Sequence, residues 1–136
     1  MGICLFPADG NNDSPDACFS YGGFHRFRTC LAMVEGIELG KMVGFGGELS
    51  WDEVSSPLKP ILNFPDDGVP TFSVEQCRPI LARLKAIQES WPLHKLMIAE
   101  SMEFERGEAS EVDRGLHNLI AVIDICVEKR VDLFTI

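Results

Sequence analysis

The sequence predicts a single α+β domain over residues 1–136, mostly helical, with about five helices and a small sheet pairing the N- and C-terminal strands. Three observations predict it. A chain of 136 residues is too short for two self-sufficient cores, yet 46% of it is hydrophobic, enough for one. Apolar residues recur at helical spacing along several stretches, and a short apolar run lies near each end.

Taken in order, Ile3–Phe6 is an apolar run stopped by Pro7 and reads as a strand. Asp9–Asp16 (DGNNDSPD) is dense in turn formers and reads as a loop. Phe24, Phe27, Leu31 and Val34 then mark a helix, with Ser20 placed to cap its start and Gly36 to stop it. The stretch 37–63 is broken by Gly40, Gly44, Gly46 and Gly47. Ser50 and Glu53 have capping-box spacing around a turn at Trp51, and Ser56-Pro57 opens a short helix carrying Leu58, Ile61 and Leu62.

FPDDGVP reads as a turn. Ser73 and Gln76 form a second capping-box pattern ahead of Cys77, Ile80, Leu81, Leu84, Ile87 and Trp91, an amphipathic series. Pro79 is expected to kink its first turns or to move its start downstream. Leu93–Phe104 is a further helical segment of weaker periodicity. The clearest helix carries Val112, Leu116, Leu119, Ile120, Ile123, Cys126 and Val127 on one face. Ser110 and Asp113 are expected to cap it, and Lys129 and Arg130 suit its C-terminal dipole. Val131–Ile136 closes the chain as a strand and is the natural partner of Ile3–Phe6.

Composition excludes several function classes. The net charge of −9 disfavours general nucleic-acid binding, which needs Lys and Arg against phosphate, and leaves solubility, a basic protein partner or polyanion mimicry. The longest nearly uncharged stretch, Leu116–Val127, is too short to span a bilayer and contains His117, Asn118 and Asp124. With no basic, apolar and small-residue series typical of export signals, the expected location is the cytoplasm, away from membranes. The five cysteines are scattered without a CxxC pair, which argues against a disulfide framework and a zinc site; Cys30, Cys77 and Cys126 fall on apolar helical faces as buried, reduced thiols.

The residues richest in chemistry are Tyr21-Gly22-Gly23-Phe24-His25-Arg26-Phe27-Arg28. A glycine pair at a helix start lets backbone N–H groups approach an anion, and His25, Arg26 and Arg28 add donors. Gly22, Gly23, His25, Arg26 and Arg28 are therefore the candidate ligand site, although no phosphate-loop fingerprint accompanies them. Against this stands the plain alternative that the glycines permit close packing and the arginines pair with the protein's own carboxylates. Phe45 and Trp51, in the glycine-rich segment, are candidate interface anchors against the plainer reading of a packed core edge.

Asp9, Asn11 and Asp13 have the spacing of a calcium loop but lack its glycine and final glutamate, so Asx turns are the better reading. Asp66-Asp67-Gly68 fails as a cation site in the same way. His25 and Cys30, five apart, fall on different helix faces. No metal, cofactor or catalytic residue is assigned.

Together SYGGFHRFR, GFGG with the following Trp51, LKPILNFPDDG leading to EQC, and the closing helix with VDLFTI resemble a family of small uncharacterised bacterial proteins with no assigned function. The resemblance implies one compact fold. In that family the middle segment is an acidic DxDG turn before a capped helix; here it is Pro65-Asp66-Asp67-Gly68, with a longer connection to Glu75. The function these readings favour is a non-enzymatic binding protein whose acidic surface engages a basic protein partner, as an inhibitor or immunity-like module would. The alternatives are a binder of a small anionic ligand such as a nucleotide at the start of the first helix, and an unrecognised enzyme.

Overall fold

A computed structural model describes residues 2–11, 13–63, 71–101 and 106–135. The strands are β1 (Gly2–Pro7), β2 (Ala17–Ser20) and β3 (Leu133–Thr135), and the helices are α1 (Tyr21–Val34), α2 (Lys59–Leu62), α3 (Val74–Glu89), α4 (Trp91–Ser101) and α5 (Arg106–Lys129). The expected class holds: five helices accompany a small antiparallel sheet. Its order is β2-β1-β3, so the N-terminal strand is central and pairs with the C-terminal one, Phe6 opposite Phe134.

Strand β2 is absent from the sequence expectation. Its four residues, ACFS, are too few for a periodic signal, and pairing with β1 (Ile3 opposite Phe19, Leu5 opposite Ala17) supplies the missing stabilisation. Alternation gives the sheet two unlike faces. Leu5, Ala17, Phe19, Leu133 and Thr135 are buried on the inner one. The outer face carries Cys4, Cys18, Phe6 and the part-exposed Phe134, whose ring meets Phe6 edge-on at 6.0 Å.

Cys4 and Cys18, directly opposite on β1 and β2, form a disulfide. This corrects the expectation from their scattered spacing: sequence separation does not report strand register, and the unrecognised β2 is what brings them together. Cys30, Cys77 and Cys126 are buried free thiols, as expected.

The core packs the inner sheet face and α1 and α3 against α5. Leu84, Leu116, Leu119, Ile123 and Cys126 lie at its centre, with Val127 partly exposed beside it. The Ser73–Gln76 capping box is fully formed at the start of α3. Pro79 does not move that start downstream: α3 begins at Val74 and runs through it. Helix α5 begins at Arg106, so Ser110 and Asp113 lie inside it and do not cap it. Ion pairs tie the layers at their edges. Glu35, at the end of α1, accepts two hydrogen bonds from Arg83 of α3, at 2.7 and 3.0 Å.

The Asp9–Asp16 connection folds as predicted, through Asx turns. Asn11 N–H donates to Asp9 Oδ1 and Asp13 N–H to Asn11 Oδ1, each at 3.0 Å. Asp9 Oδ2 also accepts from Ser14 Oγ and from Lys129 Nζ, the latter at 2.9 Å, which anchors the loop to the end of α5. The Ser14 hydroxyl, the Lys129 ammonium and the Asn11 N–H hold the Asp9 carboxyl well below the usual carboxylate range. The FPDDGVP turn, residues 64–70, lies outside the described residues, as do residues 102–105, the end of the expected Leu93–Phe104 helix.

Candidate functional site

Strand β2 runs directly into α1, because Ser20 ends the one and caps the other: its hydroxyl accepts from Gly23 N–H at 3.0 Å. The expected cap is therefore present, and it satisfies one of the amide donors that an anion would have used. Across from it, α5 delivers Glu111. A Cβ built on Gly23 would overlap the Glu111 carboxylate and crowd the Ser20 hydroxyl. Gly23 is thus the residue that lets an anion approach the N-terminus of α1, and the anion is the protein's own. Gly22 has no such role, since a Cβ there meets nothing nearer than Arg26 Nη1 at 3.7 Å.

Arg26 completes this arrangement. Its Nη2 donates to Glu111 Oε2 at 3.1 Å, with about a third of each side chain exposed. The carboxylate thus sits between a guanidinium and the positive end of a helix dipole, two favourable terms that reinforce each other.

His25 and Arg28 point elsewhere. Arg28 is 6% exposed, its guanidinium lying 4.7 Å from the ring centre of Phe24 and 4.9 Å from that of Phe45. Two aromatic faces around one desolvated cation give attraction of about 2 kcal/mol in favourable cases. Exposed His25 stacks on the same Phe45 ring at 6.3 Å, and Phe45 meets Trp51 edge-on at 6.1 Å. His25 and Arg28 of the first helix and the aromatics Phe45 and Trp51 therefore form one cluster, from which Arg26 is turned away toward Glu111. Phe45 is part-buried in it and Trp51 is 7% exposed.

The segment bearing these aromatics is a closed loop. Val43 N–H donates to Leu49 C=O and Leu49 N–H to Lys41 C=O, each at 3.0 Å, while the Trp51 indole N–H donates to Val43 C=O at 2.9 Å. Gly44 and Gly46 take φ of 93° and 92°, values that other residues adopt only under strain. Gly47 allows the loop to fold back on Lys41, whose backbone would clash with any Cβ there. The loop's apolar side chains divide accordingly. Met42, Phe45 and Trp51 turn inward, while Val43 and Leu49 are 51% and 53% exposed. Glu48, Asp52 and Glu53 of the same segment are exposed carboxylates. Sequence reasoning picked the inward-facing aromatics because burial is a property of loop closure, which periodicity does not report.

Two of the three free thiols offer little chemistry. Burial pushes Cys30 up to about 12, and the adjacent Cys77 thiol together with burial holds Cys126 above the ordinary range. Neither is a thiolate at neutral pH. Among the described residues, no group of three acidic, His or Cys side chains could hold a metal ion, and no helix is long and apolar enough to cross a membrane. No family model, curated protein or solved structure matches the chain.

Proposed function

We propose that this protein is a non-enzymatic binding module that engages a basic protein partner through the acidic 42–53 loop. One observation carries the reading: a hydrogen-bonded loop, fixed from beneath by Phe45 and Trp51, leaves apolar Val43 and Leu49 exposed together with the carboxylates of Glu48, Asp52 and Glu53. Exposed apolar and charged groups on one fixed segment suit a protein interface, and the sign of the charges selects a basic partner. A module of this kind would act as an inhibitor or immunity protein does, by covering a basic surface. The kinship with small bacterial proteins belongs to the same proposal. A small anion at the start of α1 would have to displace Glu111, so no observation favours that alternative.

The test uses a partner captured at low salt, identified, and then purified for binary binding. Changing both Val43→Asp and Leu49→Asp should weaken binding by about tenfold or more, and raising salt should weaken the wild-type complex as exposed charges are screened over about 8 Å. Unchanged affinity in the double variant would sink this reading. A cytoplasmic location accompanies the proposal, and there Cys4 and Cys18 would be largely reduced. Thiol trapping of the protein as it occurs in its cell decides that point, since a fully oxidised pair marks an oxidising compartment.

A further inference from the structure

Strand β2 is an edge strand, and its open side faces a groove. The spacing of Cys4 and Cys18, 4.0 Å between Cα atoms, is that of a non-hydrogen-bonded antiparallel pair. In such a pair the backbone N–H and C=O of each residue point away from the partner strand. Those of Cys18 therefore point outward, away from β1. They open into a cleft of about 200 Å³, walled by Cys18 and Phe19 on one side and by Glu111, Arg114, Gly115 and Asn118 of α5 on the other. Gly115 sets the spacing of the two walls, because a Cβ there would run into the Phe19 ring at 2.5 Å.

The cleft is smaller than the roughly 300–1,000 Å³ that encloses a drug-sized molecule. A strand laid along an edge needs less, since it binds through its backbone and lodges only alternate side chains. The residue opposite Cys18 would turn its side chain to the outer sheet face. Its two neighbours would turn theirs toward α5, where Arg114 is exposed and makes no ion pair among the described residues. Glu111, at the same wall, is already neutralised by Arg26.

We propose that the β2–α5 groove binds an extended peptide segment of a partner protein as a fourth strand, with acidic residues flanking the position opposite Cys18. The site is separate from the 42–53 loop and does not depend on the partner proposed there.

The probe is a labelled peptide, Thr-Glu-Val-Glu-Thr, titrated against the disulfide-bonded protein, with anisotropy and amide exchange as readouts. Binding should protect the Cys18 amide. An N-methyl group on the central valine, which removes the N–H donated to Cys18, should weaken binding by about tenfold, as should lysine in place of both glutamates. Asn118→Phe, an exposed substitution that fills the groove, should act likewise, and Arg114→Glu should reverse the preference between the acidic and lysine peptides. Absence of Cys18 protection at millimolar peptide overturns the proposal. So does equal binding of the N-methylated peptide, which would indicate side-chain capture alone, or protection of Cys18 that rises with protein concentration and no peptide, which would indicate pairing between two copies of this chain.

Discussion

The start of α1 and the 42–53 loop are both glycine-rich and aromatic, yet they leave opposite groups exposed. At the start of α1 the polar groups that looked available are engaged internally: Ser20 takes the Gly23 amide, and Glu111 takes Arg26. In the loop the polar backbone is closed on itself, and two apolar side chains are left outside. The glycines explain the difference. Gly23 makes room for a carboxylate from another helix, while Gly47 makes room for the Lys41 backbone and Gly44 and Gly46 supply the positive φ of the turn. A motif's residue types therefore describe what it can bind, and the pairing of those residues decides what it still does bind.

The largest perturbation that sharpens this contrast is Trp51→Ala. Losing a buried indole that also donates to Val43 should cost about 3–5 kcal/mol in denaturant unfolding. Because Phe45 and Arg28 lean on the same cluster, His25 should lose its ring-current shift in NMR spectra as well. If stability falls by less than about 1 kcal/mol, the loop is not held from beneath as described. Next comes the glycine pair. Gly23→Ala displaces Glu111 and should cost about 1–3 kcal/mol, whereas Gly22→Ala, with open space, should be neutral or stabilising by about 0.5 kcal/mol. Equal effects at the two positions would break the distinction between them.

A smaller effect is expected at Asp9, whose partners resemble those of Glu111 in being wholly internal. Its folded-state pKa is depressed, so its contribution is present above the ordinary carboxylate value of 3.8 and is lost as pH falls toward the folded value. Asp9→Asn should therefore melt below wild type at pH 7, and the two curves should converge as the pH is lowered from about 4. A constant difference down to pH 2 would contradict the assignment.

Much of the fold was legible in the sequence because it rests on local signals. The caps at Ser20 and Ser73, the stop at Gly36 and the apolar face of α5 each follow from residues within a turn or two. Strand β2 and the Cys4–Cys18 disulfide were not legible, since four residues carry no period and the pairing is settled by register with β1. At the candidate site the sequence singled out His25, Arg26 and Arg28 for a ligand and Phe45 and Trp51 for an interface, and His25 and Arg28 pack against Phe45. It missed Glu111, which lies 85 residues from Arg26 and meets it only because α5 packs across α1. Val43 and Leu49 were missed for a related reason: their exposure depends on how the loop closes on Lys41.

The central claim is that the anion site at the start of α1 is filled by the protein itself. A thermal-shift titration with inorganic phosphate on wild type and on Glu111→Ala tests it most directly. Wild type should show no specific shift beyond that of a sulfate-free ionic-strength control, while Glu111→Ala, less stable at the outset, should gain stability with phosphate by mass action as the anion takes the vacated place beside Arg26 and Gly23. A saturable shift in wild type that Glu111→Ala does not enlarge would contradict the claim and return the first helix to the status of an open ligand site.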